Sequence, residues 1–151
     1  MNYEIVTLEE KIAAGVAAKT SNQDPNMGAV IGGLWNRFFS EGIFSAIPGK
    51  TDEKALGIYT NYENGGAAFT AMAARAVSSD PGPDYAVCKI PAGRYAKFVA
   101  RGNMQQAVAD TWREIWETDL PRSFLCDFEE YQDGNMENAE IHIYIGLREE
   151  D

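Results

Sequence analysis

The sequence holds a single histidine and only two cysteines, and each shortage removes a class of function. A zinc site needs several His or Cys side chains at ligand spacing, and His142 has no such partners. Cys88 and Cys126 both fall in apolar, strand-like segments without CxxC spacing. They read as buried thiols in a reducing compartment rather than as a disulfide framework. Basic residues are scarce as well, 13 Lys and Arg against 23 Asp and Glu, for a net charge of −10. So acidic a surface repels phosphate backbones and favours cationic ligands, so direct nucleic-acid binding is not expected. No apolar run is long enough to span a membrane, and MNYEIVTLEEK lacks the basic and apolar regions of a secretory signal. The expectation is a cytoplasmic protein that touches no membrane. Gly32-Gly33 and Gly65-Gly66 lack the strand-to-helix context of a phosphate loop. No Ser-His-Asp arrangement is supported either, and neither a metal nor a cofactor is implied.

What the chain does have is concentrated between Phe124 and Leu147, FLCDFEEYQDGNMENAEIHIYIGL. Two strands are expected there, with Asp133-Gly134 marking the turn. Ile141, Ile143, Ile145 and Leu147 alternate with Glu140, His142 and Tyr144; Phe124, Cys126 and Phe128 alternate with Asp127, Glu129 and Tyr131. If the two apolar faces share one core, Glu129, Tyr131 and Tyr144 gather on the opposite face. A carboxylate among tyrosines can hold an apolar cation. The same parity also fits an ordinary half-exposed antiparallel hairpin.

The rest of the chain repeats a pattern. Lys11–Thr20 reads as a strand, with Gly15 marking a bulge or a close backbone approach. Asp24-Pro25 opens a helix carrying Met27, Val30, Ile31, Leu34 and Phe38 at helical spacing. Gly28, Gly32 and Gly33 would let it lie close to a sheet. Leu56–Tyr62 and Ala67–Val77 form a hairpin around Glu63–Gly66. The stretch SSDPGP at 78–83 is the strongest break. After it come strands at Tyr85–Ile90 and Arg94–Arg101. A second helix then opens at Asn103 and is stopped by Pro121. In the strand before it, Ala96, Phe98 and Ala100 are expected to face the core and Tyr95 not. Each half reads strand, helix, strand, strand. The chain is therefore expected to be one domain over residues 1–151, with pseudo-repeats at about 1–80 and 84–151. Its fold class is α+β: one antiparallel sheet, both helices on one face, and the other face free to line a ligand cleft.

With these pieces in order, the chain resembles the GyrI-like effector-binding domain of AraC- and MerR-type regulators, in its stand-alone, integron-cassette-like form. The matching stretches are GLWNRFF, LGIYTNYE, IPAGRYAKFVARG, TWREIWETDLPRS and CDFEEY followed by AEIHIYIGL. No helix-turn-helix precedes them. The resemblance implies a duplicated strand-helix-strand-strand fold with a cleft between its halves. It also implies a glutamate among aromatics that recognises cationic, lipophilic compounds. By position that glutamate is Glu129, within Phe128-Glu129-Glu130-Tyr131, and the family's tyrosine after the central turn is Tyr95.

The candidate ligand-binding residues are therefore Glu129, Tyr59, Tyr95, Tyr131 and Tyr144. Trp35 and Trp116 sit within helical apolar stripes and read first as core, but join the candidates because the side of a helix nearest a cleft can contribute a ring. Trp112 reads as core, Glu130 as an exposed neighbour, and His142 as a surface residue. No residue is assigned a catalytic role. The expected function is a stand-alone module that binds a cationic, amphipathic, drug- or dye-like small molecule. Two alternatives stand beside it. One is a hydrolase of strained electrophiles using Glu129 as base with Tyr95 or Tyr131 as donor. The other is a gyrase-inhibitor-like protein-interaction module.

Overall fold

The computed structural model describes residues 3–63, 67–133 and 135–149. The two turn signals, Asn64–Gly66 and Gly134, lie outside the described residues. Eight strands and three helices follow one another as β1 (Glu4–Leu8), β2 (Lys11–Ser21), α1 (Met27–Ser40), α2 (Ile43–Ala46), β3 (Ala55–Glu63), β4 (Ala68–Val77), β5 (Ala86–Ile90), β6 (Gly93–Gly102), α3 (Met104–Glu117), β7 (Arg122–Tyr131) and β8 (Ala139–Leu147). All the strands join one antiparallel sheet in the order β1-β6-β8-β7-β3-β4-β2-β5. Outward from the central β7/β3 pair, β8-β6-β1 on one side mirrors β4-β2-β5 on the other. The first strand of each half crosses to the edge of the opposite half.

The register decides which side chains share a face. One row runs across the sheet through Phe98, Ile143, Glu129, Gly57, Ala73 and Val16. Both long helices pack on this side, α1 over β2 and β4 and α3 over β6 and β8. The next row, through Tyr144, Phe128, Ile58 and Met72, faces the other way. That face is not open. It carries its own core of Leu56, Ile58, Met72, Tyr95, Phe128 and Tyr144, roofed by β1 and β5 as the sheet curls on itself. The curl packs Cys88 on β5 against the cluster that holds Cys126 on β7.

Two expectations are corrected here. Phe128 is buried, but together with Ile58 on the face away from the helices, and that face carries a core of its own rather than standing free. The apolar sides of β7 and β8 do not coincide: Phe128 pairs with Tyr144, and Glu129 with Ile143. The physical reason is that both faces of this sheet are buried. Alternation between polar and apolar residues therefore sorts the side chains into two sets without saying which set meets the helices.

Local sequence accounts for most element ends. The Asn103 side chain caps α3 by accepting from the Gln106 N–H at 3.1 Å. At α1 the Asp24 carboxylate instead accepts from Asn26 N at 2.8 Å, an Asx turn, so the helix starts later, at Met27. Gly15 is a close approach: a Cβ there would lie 2.0 Å from the Ala73 carbonyl oxygen on β4. The glycines of α1 behave otherwise. Gly28, Gly32 and Gly33 are exposed, with nothing within 4 Å of a built Cβ, and the helix packs through Leu34 and Phe38. Since these glycines add only backbone entropy to the unfolded chain, Gly32→Ala and Gly33→Ala should each stabilise the protein by about 0.5–1 kcal/mol. A urea midpoint that does not rise for either variant would show that a Cβ on this face is not tolerated.

Candidate functional site

Because α1 lies over β2 and β4 while α3 lies over β6 and β8, the middle strands β3 and β7 run beneath the gap between the helices. The side chains they raise into that gap build the site. β7 contributes Asp127, Glu129 and Tyr131, and β3 contributes Gly57 and Tyr59. A bulge follows on β3, where the register slips between Thr60 and Glu63 and Asn61 takes a φ of +51°. The extra residue brings Tyr62 to the same side as Tyr59, three positions earlier.

Glu129 is 1 % exposed. Tyr59 Oη and Trp112 Nε1 donate to its Oε2 at 3.1 and 2.6 Å, and Tyr131 Oη donates to Oε1 at 2.8 Å. All three donors are aromatic and none is a cation. Burial pushes its pKa above the ordinary glutamate value, while the bonds from Trp112, Tyr131 and Tyr59 hold it back in part. Burial and the neighbouring Glu129 in turn hold the Tyr59 and Tyr131 hydroxyls well above their usual range, so both remain donors. Trp35 packs edge-on against Tyr131 at 5.3 Å, and Trp112 against Tyr59 at 5.5 Å. Gly57 makes the arrangement possible, for a Cβ there would lie 2.7 Å from Glu129 Oε1 and 3.1 Å from Trp35 Cζ2.

A cleft of about 360 Å³ opens beside this carboxylate, lined among others by Met27, Ile31, Tyr59, Tyr62, Trp112 and Trp116. Glu129 itself lies behind the cleft wall, reached through the Tyr59 and Trp112 rings that bond it. A second buried carboxylate stands two residues away. Asp127, 0 % exposed, accepts from Arg122 Nη2 at 2.6 Å, Tyr62 Oη at 2.6 Å and Gly146 N at 2.8 Å. Arg113, at the rim, lies 3.3 Å from Asp110. Both cleft arginines are thus matched by carboxylates, and among the described residues Glu129 is the buried acid there that faces no cation. Among the described residues no group of three or more His, Cys, Asp or Glu side chains could hold a metal ion. Among the described residues no helix is long and apolar enough to cross a membrane.

Of the residues singled out in the sequence, Glu129, Tyr59, Tyr131 and Trp35 come together. Trp116 lies at the cleft, 63 % exposed and 6.2 Å from Trp112. Tyr95 and Tyr144 are on the opposite face of the sheet, packed against Phe128 at 5.8 and 4.7 Å, and Tyr95 Oη donates to the Pro91 carbonyl. Glu130 is not exposed. It is 8 % accessible, lies 3.5 Å from Lys11 Nζ and 3.7 Å from Lys54 Nζ, and accepts from Gln132. Burial alone would raise its pKa, but Gln132, Lys11 and Lys54 together draw it below the ordinary value. His142 is largely covered and lies 2.7 Å from Glu140 Oε2. Trp112 was missed as a site residue because its place in an apolar helical stripe reads as core. Tyr62 and Arg122 were missed because bulges reset the parity of their strands.

A mirrored sheet carrying a helix-flanked aromatic cleft over a buried acid is the architecture of a GyrI-like effector-binding module. The chain belongs to the integron-associated effector binding protein family, Cass2, whose pattern matches residues 4–147. Among solved structures it is similar to an integron cassette protein from the mobile metagenome of Vibrio cholerae. The two share 29 % identity over 97 % of this chain and 95 % of that one, with a TM-score of 0.75. SAV2435 bound to tetraphenylphosphonium shares the fold at 21 % identity, covering 98 % and 94 % of the two chains with a TM-score of 0.81. So does the C-terminal domain of EcmrR, at 14 % identity, 99 % and 100 % coverage and a TM-score of 0.56. No curated protein matches the chain in sequence.

Proposed function

We propose that the cleft between α1 and α3 binds lipophilic organic monocations, with Glu129 as the counter-charge. The observation that carries this reading is a fully buried carboxylate whose hydrogen bonds all come from aromatic side chains. A buried charge without a cation is costly, and an arriving cation relieves that cost. Tyr59 and Trp112, which line the cleft, supply ring faces on which a cation with apolar substituents is stabilised, by about 0.5–2 kcal/mol per well-placed ring. Trp116 and Tyr62 extend the aromatic lining, while Trp35 packs on Tyr131 outside it. A tetraphenylphosphonium ion on a protein of this fold supports the same ligand class. The rings of Tyr59 and Trp112 stand between the cleft and Oε2, so binding requires one of them to turn aside. The arrangement favours binding over hydrolysis. Glu129 is already bonded by three donors, which weaken it as a base. Of the two donors a hydrolytic reading would use, Tyr131 bonds Glu129 and Tyr95 is on the far side of the sheet.

Glu129→Gln keeps the shape and removes the charge. Affinity for a cationic dye should fall about ten- to thirtyfold, or about 1.5–2 kcal/mol, while a neutral dye of the same size is nearly unaffected. The ligand-free variant should also be more stable than wild type at neutral pH, because a buried charge has gone. Glu130→Gln, on the opposite face, should leave both affinities unchanged. Equal losses for cationic and neutral dyes in Glu129→Gln would remove Glu129 as the anchor.

A further inference from the structure

Resting on the cation-binding reading, we propose that Arg122 forms a second recognition point in the same cleft. Its Nε–H would take a hydrogen-bond acceptor carried by the ligand, so the preferred ligand is a monocation that also bears an ester, amide or ether oxygen. Three buried side-chain atoms lack a hydrogen-bond partner among the described residues: Thr20 Oγ1, Arg75 Nε and Arg122 Nε. Of these three residues only Arg122 lines the cleft. Buried donors without acceptors are rare and costly; Arg122 Nε is itself covered, so a ligand brings the missing acceptor as the cleft wall over it shifts.

The rest of the Arg122 side chain is held in place. Nη2 bonds Asp127 Oδ2 at 2.6 Å, the guanidinium lies 4.3 Å from the centre of the Phe124 ring, and the side chain is 15 % exposed. Asp127 cancels its charge. The guanidinium therefore presents a donor without repelling the cation that Glu129 attracts, which resolves how a cation-binding cleft can contain arginine. Tyr62, bonded to the same Asp127 oxygen at 2.6 Å, fixes the carboxylate from the other side. Glu129 and Asp127 project from β7 two residues apart on one face. The cationic centre and the acceptor must accordingly sit on neighbouring parts of one small molecule.

Two triphenylphosphonium ions of equal chain length test this, one bearing an n-alkyl arm and the other the same arm interrupted by an ester. The ester is the less lipophilic, so burial alone favours the alkyl ion. Wild type should nonetheless prefer the ester ion about tenfold. Arg122→Lys keeps a charge for Asp127 and loses Nε. Whatever its affinity for the alkyl ion, it should lose the preference for the ester ion over the alkyl ion. Should that variant fold poorly, the Arg122 Nε–H resonance of wild-type protein gives the same answer, shifting with the ester ion and not with the alkyl ion. No ester preference in wild type, a preference that survives Arg122→Lys, or an Nε–H resonance indifferent to the ester would overturn the proposal. Glu129→Gln separates the two readings: it should weaken both ions equally. If it weakens neither, the cation-anchor reading falls with this one.

Discussion

Arg75→Ala is expected to destabilise the protein by about 3–5 kcal/mol, the range for removing one partner from a buried charged network. Arg75 is 1 % exposed on β4. Its Nη1 donates to the Phe44 carbonyl at 2.6 Å, its Nη2 donates to the Asp52 carbonyl, and its guanidinium lies over the Phe44 ring at 4.0 Å. Glu53 is 3.6 Å away, but its own side chain is 89 % exposed and adds little to the pairing. The work falls to the carbonyls and the ring. They belong to the segment between α1 and β3, whose regular structure is limited to the single turn α2 and one bridge from Lys50 to Val77. Arg75 is thus the peg that fastens this segment to the sheet. Truncation leaves two carbonyls without their donor and a hole the size of a long side chain. Arg75→Lys should fall between wild type and alanine, since one ammonium cannot span both carbonyls in the plane that the guanidinium does. A urea curve showing under about 1 kcal/mol lost in Arg75→Ala would mean the segment is held elsewhere.

How far the sequence disclosed this protein differs from element to element. The strands and the two long helices were legible because period-2 and period-3.6 patterns alternate cleanly with Gly, Pro and Asn breaks. Gly15 was legible as a close approach because a glycine inside a strand has few other uses. Face assignment was not legible. Where helices cover one side of a sheet and its own curled edges cover the other, Phe128 and Glu129 are both buried, and no solvent face exists against which to calibrate the alternation. Tyr95 and Tyr144 were expected beside Glu129 for this reason, and they instead pack around Phe128.

The site itself was half legible. Glu129, Tyr59 and Tyr131 lie at consistent parity on strands that pair in register, so three of the principal groups could be read together. Trp112 could not be distinguished from a core tryptophan, since its ring is packed and only its Nε1 reveals a second role. Tyr62 and Arg122 are displaced by irregular backbone: Asn61 at φ +51° on β3, and Phe124 at φ +54° where the β7 register slips between Arg122 and Asp127. A bulge has no dependable signature in one sequence, yet here two of them decide which side chains enter the cleft.

The affinity for a lipophilic monocation is expected to rise with pH through the Glu129 pKa and to level off above it. In the free protein burial raises that pKa above its ordinary value, so between the ordinary and the raised value Glu129 holds a proton that the unfolded chain would have released. A cation binds the ionised form. Binding must therefore expel the proton in this window, and each pH unit below the folded-state pKa should cost about tenfold in affinity, about 1.4 kcal/mol. The sign for stability is the reverse. A carboxyl whose pKa is raised on folding favours the folded state at low pH, so ligand-free wild type should lose stability as pH rises through the window, and Glu129→Gln should not. Glu130 acts oppositely: its pKa is lowered on folding, and its contribution is lost as pH falls through that lowered value. Tyr59 and Tyr131 stay protonated throughout, leaving Glu129 as the group among the three that titrates. Titration calorimetry with tetraphenylphosphonium in two buffers of different ionisation enthalpy reads the expelled proton directly. Proton release in wild type, none in Glu129→Gln, and a neutral dye whose affinity ignores pH are the expected results. A cation affinity equally flat in wild type and Glu129→Gln would show that the ligand meets the aromatic wall and never reaches the buried acid.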